Sequence, residues 1–257
     1  GGPGAPPGTV GEQAPGDWPP GGYRKRLDRD YDKSHCLVRD DVTDFVLATQ
    51  PKEWDRLKQH HGAEAKERFL QRLAREVERR GVLDVLRKGV RDAGCKFRLA
   101  YFRPSSGLNE ELQRLYLANV FTVVRQVHYS EKNENSIDMV LFLNGLPLFT
   151  AELKNPFTGQ DVNHAIKQYR TDRDPREPLL SFRRCLAHFA VDPDWVYVTT
   201  KLEGKATWFL PFNRGKFGGA GNPPSARGHA TSYLWEQVWA RDSVLDLLQH
   251  FVHEVEE

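Results

Sequence analysis

Ser136-Ile-Asp-Met-Val-Leu-Phe-Leu-Asn-Gly-Leu-Pro-Leu-Phe-Thr-Ala-Glu-Leu-Lys154 decides the reading of this chain. Two apolar runs flank Asn144-Gly145, the dipeptide that most strongly signals a tight turn between antiparallel strands. Met139, Leu141 and Leu143 lie on one face of the first arm, while Val140 and Phe142 share the other face with Asp138. Both faces are apolar, so the arm is expected at the centre of a covered sheet. A carboxylate in such surroundings is expensive unless it meets a cation. Asp138 on one arm and Glu152 and Lys154 on the other can hold a divalent cation and set a water against a phosphodiester. The bland alternative is a structural Asp–Lys or Glu–Lys ion pair at a sheet end.

Register decides whether these groups meet, because side chains alternate faces along a strand. A two-residue loop at Asn144-Gly145 would set Asp138 opposite Ala151 and turn Glu152 to the far face. A three-residue loop with Gly145 left-handed pairs Asp138 with Thr150 and makes Glu152 a diagonal neighbour on the same face. Pro147, lacking an amide donor, also points to an irregular second arm. A bulged hairpin is therefore predicted.

Glu-x-Lys occurs three times, at Glu64-Lys66, Glu152-Lys154 and Glu203-Lys205. The first falls in a helical pattern, where residues two apart do not face each other. The third belongs to Leu202-Glu-Gly-Lys205, a turn sequence. Only the second lies in an apolar strand, where residues two apart share a face, and only it follows a strand carrying an aspartate. Asp138 and Glu152 are hard oxygen ligands suited to Mg2+, with Mn2+ able to substitute and the Leu153 carbonyl as a third donor. Lys154 can position or deprotonate the attacking water, or stabilise the pentavalent phosphate.

Outward from the hairpin, residues 1–22 are rich in glycine and proline and are expected to be disordered. A folded region is expected over 23–230, mostly helical to about residue 117, with the sheet from about 120. Asp40-Asp41 starts a helix that ends before Pro51, and residues 64–79 carry Ala65, Phe69, Leu73 and Val77 on one stripe. Strands are predicted over 96–102, 120–129, 186–191, 195–200 and 207–212. Helices are predicted over 108–117 (with Leu108, Leu112 and Leu115 on one side), 162–169 and 232–255. The fold class is α/β, a central mixed sheet flanked by helices.

At 257 residues and 28% charged, with a net charge of only +2, the chain has the composition of a globular protein, and a basic footprint must come from local clustering. No apolar run of about eighteen residues predicts a membrane span. Cys36, Cys95 and Cys185 fit neither a disulfide framework nor a zinc motif, so a reducing, cytoplasmic setting is expected. No Gly-x-x-x-x-Gly-Lys-Ser/Thr phosphate loop is present.

The paired arms resemble the PD-(D/E)xK nuclease superfamily, and the surrounding sequence resembles the N-terminal endonuclease region of the R subunit of type I restriction-modification enzymes. The resemblance is carried by Thr49-Gln-Pro-Lys-Glu-Trp54, Val123-Val-Arg-Gln-Val127, the hairpin itself and Glu152-Leu-Lys-Asn155. Ala165-Ile-Lys-Gln-Tyr-Arg170, Phe209-Leu-Pro-Phe-Asn-Arg-Gly215, Gly218-Gly-Ala-Gly-Asn-Pro223 and Tyr233-Leu-Trp235 extend it to most of residues 23–257. It implies a restriction-endonuclease-like fold, with Asp138, Glu152 and Lys154 as the catalytic and Mg2+-binding set. Gln168, Tyr169 and Arg170 are implied in DNA contact or site geometry. The family's Gln-x-x-x-Tyr pattern is not kept, since Asp172 stands four residues after Gln168 and the tyrosine is Tyr169. The resemblance further implies double-stranded DNA as substrate, modification and specificity subunits as partners, and ATP used only by a motor domain absent from this chain, toward which residues 231–257 would lead.

Two further clusters stand out. Arg170, Arg173, Arg176, Arg183, Arg184 and Lys201 can contact phosphates or form a solvated loop, and Glu110 or Glu111 can supply a second-metal carboxylate or merely favour a helix start. A non-catalytic docking module with the nuclease fold, and a stand-alone DNA repair or junction nuclease, remain as alternative functions.

Overall fold

The computed structural model describes residues 22–106, 108–225 and 228–254. The disorder expected over 1–22 therefore lies, apart from Gly22, outside the described residues. Strand β1 (Arg24–Arg26) comes first, then a small ribbon of β2 (Tyr31–Asp32) and β3 (Leu37–Val38). Four helices follow, α1 (Arg39–Thr49), α2 (Pro51–His61), α3 (Ala65–Arg80) and α4 (Val82–Lys88), and a second ribbon of β4 (Val90–Asp92) and β5 (Cys95–Phe97). After α5 (Glu110–Leu117) come β6 (Phe121–His128), β7 (Ser136–Leu143), β8 (Leu146–Leu153), α6 (Val162–Thr171), β9 (Ala187–Val191), β10 (Val196–Thr199), β11 (Leu210–Pro211) and α7 (Arg241–Asp246).

Seven strands make one mixed sheet in the order β1-β6-β7-β8-β9-β10-β11. The β1–β6 and β8–β9 pairs are parallel and the rest antiparallel. This is the expected α/β architecture, consistent with a restriction-endonuclease-like fold. Leu141, Leu143, Leu148 and Ala151 pack on one side with the α1–α4 lobe, through Phe45, Phe69, Leu73 and Leu86. On the other side, Val140 and Phe142 pack with Val162, Ala165 and Tyr169 of α6. The central strands are apolar on both faces because both faces are covered. The strand β1 escaped the sequence reading, since its three residues, Arg-Lys-Arg, carry no apolar signal. It is held by Asp41, fully buried on α1, which accepts from Arg24 Nη1 at 2.8 Å and Arg26 Nη2 at 2.9 Å.

The hairpin is bulged, but not where the spacing placed the irregularity. Leu143 pairs with Leu146, so Asn144-Gly145 closes a two-residue turn with both residues left-handed, φ 50° and 80°. The register then shifts between Leu141 and Phe142: Phe142 pairs with Pro147, whereas Leu141 pairs with Phe149, leaving Leu148 as the extra residue. Val140, not Asp138, pairs with Thr150. Continued past Met139–Ala151, this register sets Asp138 level with Glu152. The turn stays tight because the Asn144 side chain is fastened on both sides. Its amide donates to Leu99 O at 2.8 Å and Asn119 Oδ1 at 2.9 Å, and its carbonyl accepts from Val120 N at 2.7 Å. Pro147 cannot donate to the ladder, and the slip follows directly after it.

Other expectations change at element ends. Pro51 ends one helix and begins another, a position where its missing amide hydrogen has no cost. The strand predicted over 96–102 is confined to Cys95–Phe97, and that over 207–212 to Leu210–Pro211. In α5 the leucine stripe does not face the core: Leu112 is exposed, and Tyr116 is buried, donating to Asp242 Oδ1 at 2.5 Å. The single helix predicted over 232–255 is broken. A turn over Leu234–Val238 stops at Trp239, Ala240 is extended (ψ 140°), and α7 and a turn over Leu247–Phe251 follow. The break lets Trp239 pack against Phe149 and Phe189 while Arg241 reaches the Asn119 carbonyl. Val255 lies outside the described residues.

Asn144→Ala removes three hydrogen bonds around a buried turn. It is expected to lower stability by roughly 2–3 kcal/mol, read as a lower urea midpoint.

Candidate functional site

Asp138 near the start of β7 and Glu152 near the end of β8 come together through the bulge at Leu148, and Lys154 follows just beyond β8. One Asp138 oxygen, Oδ2, accepts from the Leu153 amide at 2.8 Å; the other, Oδ1, accepts from Gln126 Nε2 at 3.1 Å. Lys154 Nζ stands 3.8 Å from Asp138 Oδ2 and 4.0 Å from Glu152 Oε2. It is close enough to attract both carboxylates and too far to donate to either. The Lys154 amide bonds the Val191 carbonyl at 2.8 Å, so the chain is still tied to the sheet where the ammonium leaves it.

Glu152 is fully buried. Arg173 holds its Oε1 with Nε at 2.8 Å and Nη2 at 2.7 Å, and Nη2 also donates to the Ser136 carbonyl. Its Oε2 has no hydrogen-bond partner. Burial pushes the Glu152 carboxyl up to about 8; Arg173 opposes the shift, and the charge of Asp138 adds to it. Hard carboxylate oxygens, one of them buried without a donor, suit a divalent cation such as Mg2+. Among the described residues no group of three or more His, Cys, Asp or Glu side chains gathers to hold a metal, so further ligands would be main-chain or solvent oxygens.

Arg173 belongs to the basic stretch read as phosphate-contacting or solvated, yet it is buried against Glu152 and lies over the Tyr129 ring. Its neighbours behave differently: Arg176 pairs with Asp174, and Arg183 with Glu254. Nothing local in the sequence separates Arg173 from the others. Gln126 also escaped the reading. Its left-handed backbone (φ 51°) on β6 turns its side chain toward Asp138, and Ser136 Oγ donates to its carbonyl at 3.3 Å. The signal available was Gln126 standing within a strand directly across from Asp138.

Of the three residues on α6, Tyr169 is fully buried and its hydroxyl bonds Thr150 Oγ1 at 2.8 Å, which also bonds His188 Nδ1 at 2.7 Å. A direct DNA contact by Tyr169 is excluded by that burial, while Thr150 lies two residues from Glu152 on β8. The Gln168 side-chain carbonyl oxygen is buried and unpartnered. Arg170 Nε donates to the Thr207 carbonyl at 3.0 Å. Glu110 and Glu111 are exposed, Glu111 pairs with Arg114, and among the described residues neither joins the carboxylate pair in a metal-sized group of three acidic side chains. The three cysteines are buried and free. No helix among the described residues is long and apolar enough to cross a membrane.

A family model described as the type I restriction enzyme R protein N terminus matches residues 46–207, more than half of the chain. The match takes in the hairpin, Arg173 and α6. No curated protein matches the chain.

Burial alone lowers the His188 pKa from 6.5 to about 3. The folded state therefore holds a neutral ring that the unfolded chain protonates first. Stability from this site is complete above about pH 6.5 and is lost as pH falls toward 3, by up to about 1.4 kcal/mol per pH unit. Urea midpoints at pH 7, 6 and 5 should fall in the wild type and fall less in His188→Gln.

Proposed function

Because the chain belongs to the type I restriction enzyme R protein N-terminal family, we propose that it is the Mg2+-dependent endonuclease domain of such a subunit, hydrolysing phosphodiester bonds in unmodified double-stranded DNA. The observation that carries this reading is the convergence of Asp138, Glu152 and Lys154 at one end of the β7–β8 pair, with Glu152 Oε2 buried and unpartnered. Asp138 and Glu152, with the Leu153 carbonyl, hold Mg2+, and Mn2+ serves in its place. When bound, the cation supplies Lewis acidity and neutralises charge on the scissile phosphate.

The chain's own groups do the rest. Gln126 and the Leu153 amide orient the Asp138 carboxylate. Lys154 positions or, once neutral, deprotonates the attacking water, or as the ammonium donates to the phosphate oxygens as negative charge builds. Arg173 keeps Glu152 in place and balances its charge. Gln168 and Arg170 contact DNA or set site geometry, and Tyr169 acts as a positioning residue through Thr150. Site choice and ATP-driven translocation belong to the assembled cytoplasmic enzyme, with its modification and specificity subunits and motor domain.

A second reading, a docking module that keeps the fold without cleaving, is favoured by Arg173 already occupying Glu152 Oε1. Calorimetric titration with Mg2+ and Mn2+ separates the two. The nuclease reading expects Asp138→Asn and Glu152→Gln each to weaken cation binding at least about tenfold. Lys154→Met should keep the cation and lose roughly a hundredfold or more of cleavage in the assembled enzyme. The docking reading expects all three variants to cleave as well as wild type, and to assemble poorly.

A further inference from the structure

On the α1–α4 lobe, α3, α4 and the β4–β5 ribbon enclose a groove of about 630 Å³ lined by eight basic side chains and one carboxylate. Two of the cations are structural. Arg80 is tied to Glu76, Asp84 and the Gly89 carbonyl, and Arg87 donates to the Leu248 and Val252 carbonyls. The other six, Arg72, Arg79, Lys88, Arg91, Lys96 and Arg98, are exposed along the groove. The lining carboxylate, Glu76, is buried and already shared by Arg72, Arg79 and Arg80 at 2.9–3.1 Å. Asp84, beside the groove, is divided between Arg80 and Lys88. Positive charge along this surface is therefore far from neutralised by the protein.

The ribbon makes the excess sharper. Arg91 and Lys96 are directly opposite partners across β4 and β5, and both are exposed. Like charges facing across a strand pair oppose folding, and nothing in the packing of so short a ribbon requires them there. Such an arrangement is relieved by an external anion. The guanidinium groups of Arg91 and Arg98, with the donors of Arg72 and Arg79 that Glu76 leaves over, match phosphate geometry, because a guanidinium presents a fork of parallel donors. All six are donors of the kind that takes most contacts to phosphate oxygens, and contacts of that kind fix position without carrying sequence information.

The groove and the carboxylate pair lie on opposite sides of the sheet. Leu73, Val77, Leu86 and Phe97 beneath the groove pack with Leu143 and Leu148, whereas Glu152 shares its side with Thr150 and Tyr169. We propose that this groove is a second, sequence-independent binding surface for the phosphodiester backbone of duplex DNA, holding a stretch other than the one cleaved. The choice of DNA as the polyanion rests on the nuclease reading above; the charge excess does not.

The test is fluorescence anisotropy with a labelled duplex of about 20 base pairs, titrated at several salt concentrations. Combined Arg91→Glu, Lys96→Glu and Arg98→Glu should weaken binding at least about tenfold near 0.1 M salt and reduce the salt slope by about 2–3. Lys58→Glu, Lys66→Glu and Lys132→Glu together, the same charge change placed elsewhere, should leave both nearly unchanged. Lys96→Glu alone should raise the thermal midpoint, by setting a carboxylate opposite Arg91, while weakening DNA binding; that pairing separates a binding role from a folding defect. Unchanged affinity and slope in the groove triple, as an acidic protein partner would give, overturns the proposal, and so does an equal loss in both triples. Cation binding at Asp138 and Glu152, measured alongside, distinguishes this failure from failure of the nuclease reading: the groove variants leave it intact, and Asp138→Asn leaves groove binding intact.

Discussion

The one-residue slip between β7 and β8 governs everything at the candidate site. A two-residue turn at Asn144-Gly145 by itself sends Asp138 and Glu152 to opposite faces of the sheet. The extra residue at Leu148 reverses that parity for every position after it, so Glu152 and Thr150 turn toward α6 while Phe149 and Ala151 turn toward the helical lobe. The same slip brings the Leu153 amide to Asp138 and leaves Lys154 between the carboxylates. Catalytic candidates, sheet packing and the Thr150–Tyr169–His188 chain are thus set by one irregularity.

Two buried carboxylates differ in how completely their oxygens are partnered. Asp41 is fully buried, but both of its oxygens are engaged, Oδ1 by Arg24 and Arg26 and Oδ2 by Thr122 at 2.5 Å. Desolvation there is offset by a complete set of partners. Glu152 is equally buried, has one oxygen held by Arg173, and keeps the other bare beside a second carboxylate and an ammonium that does not reach it. The desolvation cost offset in full at Asp41 is offset only in part at Glu152, and that difference agrees with the raised pKa of the Glu152 carboxyl.

Much of this was legible in the sequence where the cause is local. The Asn-Gly turn, the apolar arms, the stripe of Phe69, Leu73 and Val77, and α6 after the hairpin follow from patterns a few residues long. The existence of a bulge also followed, from the parity that Asp138 and Glu152 must satisfy, although its place did not, because Leu148 looks like any other apolar strand residue. What could not be read is nonlocal. Arg173 differs from Arg170 and Arg176 only in lying beside a carboxylate twenty-one residues earlier in the chain. Likewise β1 is a strand because Asp41 and β6 make it one, and the break at Ala240 exists because Trp239 finds Phe149 and Phe189.

Asn144-Gly145 is also the dipeptide in which an asparagine most readily cyclises and deamidates, since the glycine amide meets little obstruction in attacking the side-chain carbonyl. Here that carbonyl is occupied by the Val120 amide and the amino group by two oxygens, with Gly145 pressed so closely on Val38 that an added Cβ would stand 2.4 Å from its carbonyl. The folded hairpin thus restrains the groups that would have to move for that attack. A chain that aged there while unfolded would lose the side-chain amino group that donates to the Leu99 and Asn119 oxygens, and with it two of the bonds that fasten the turn.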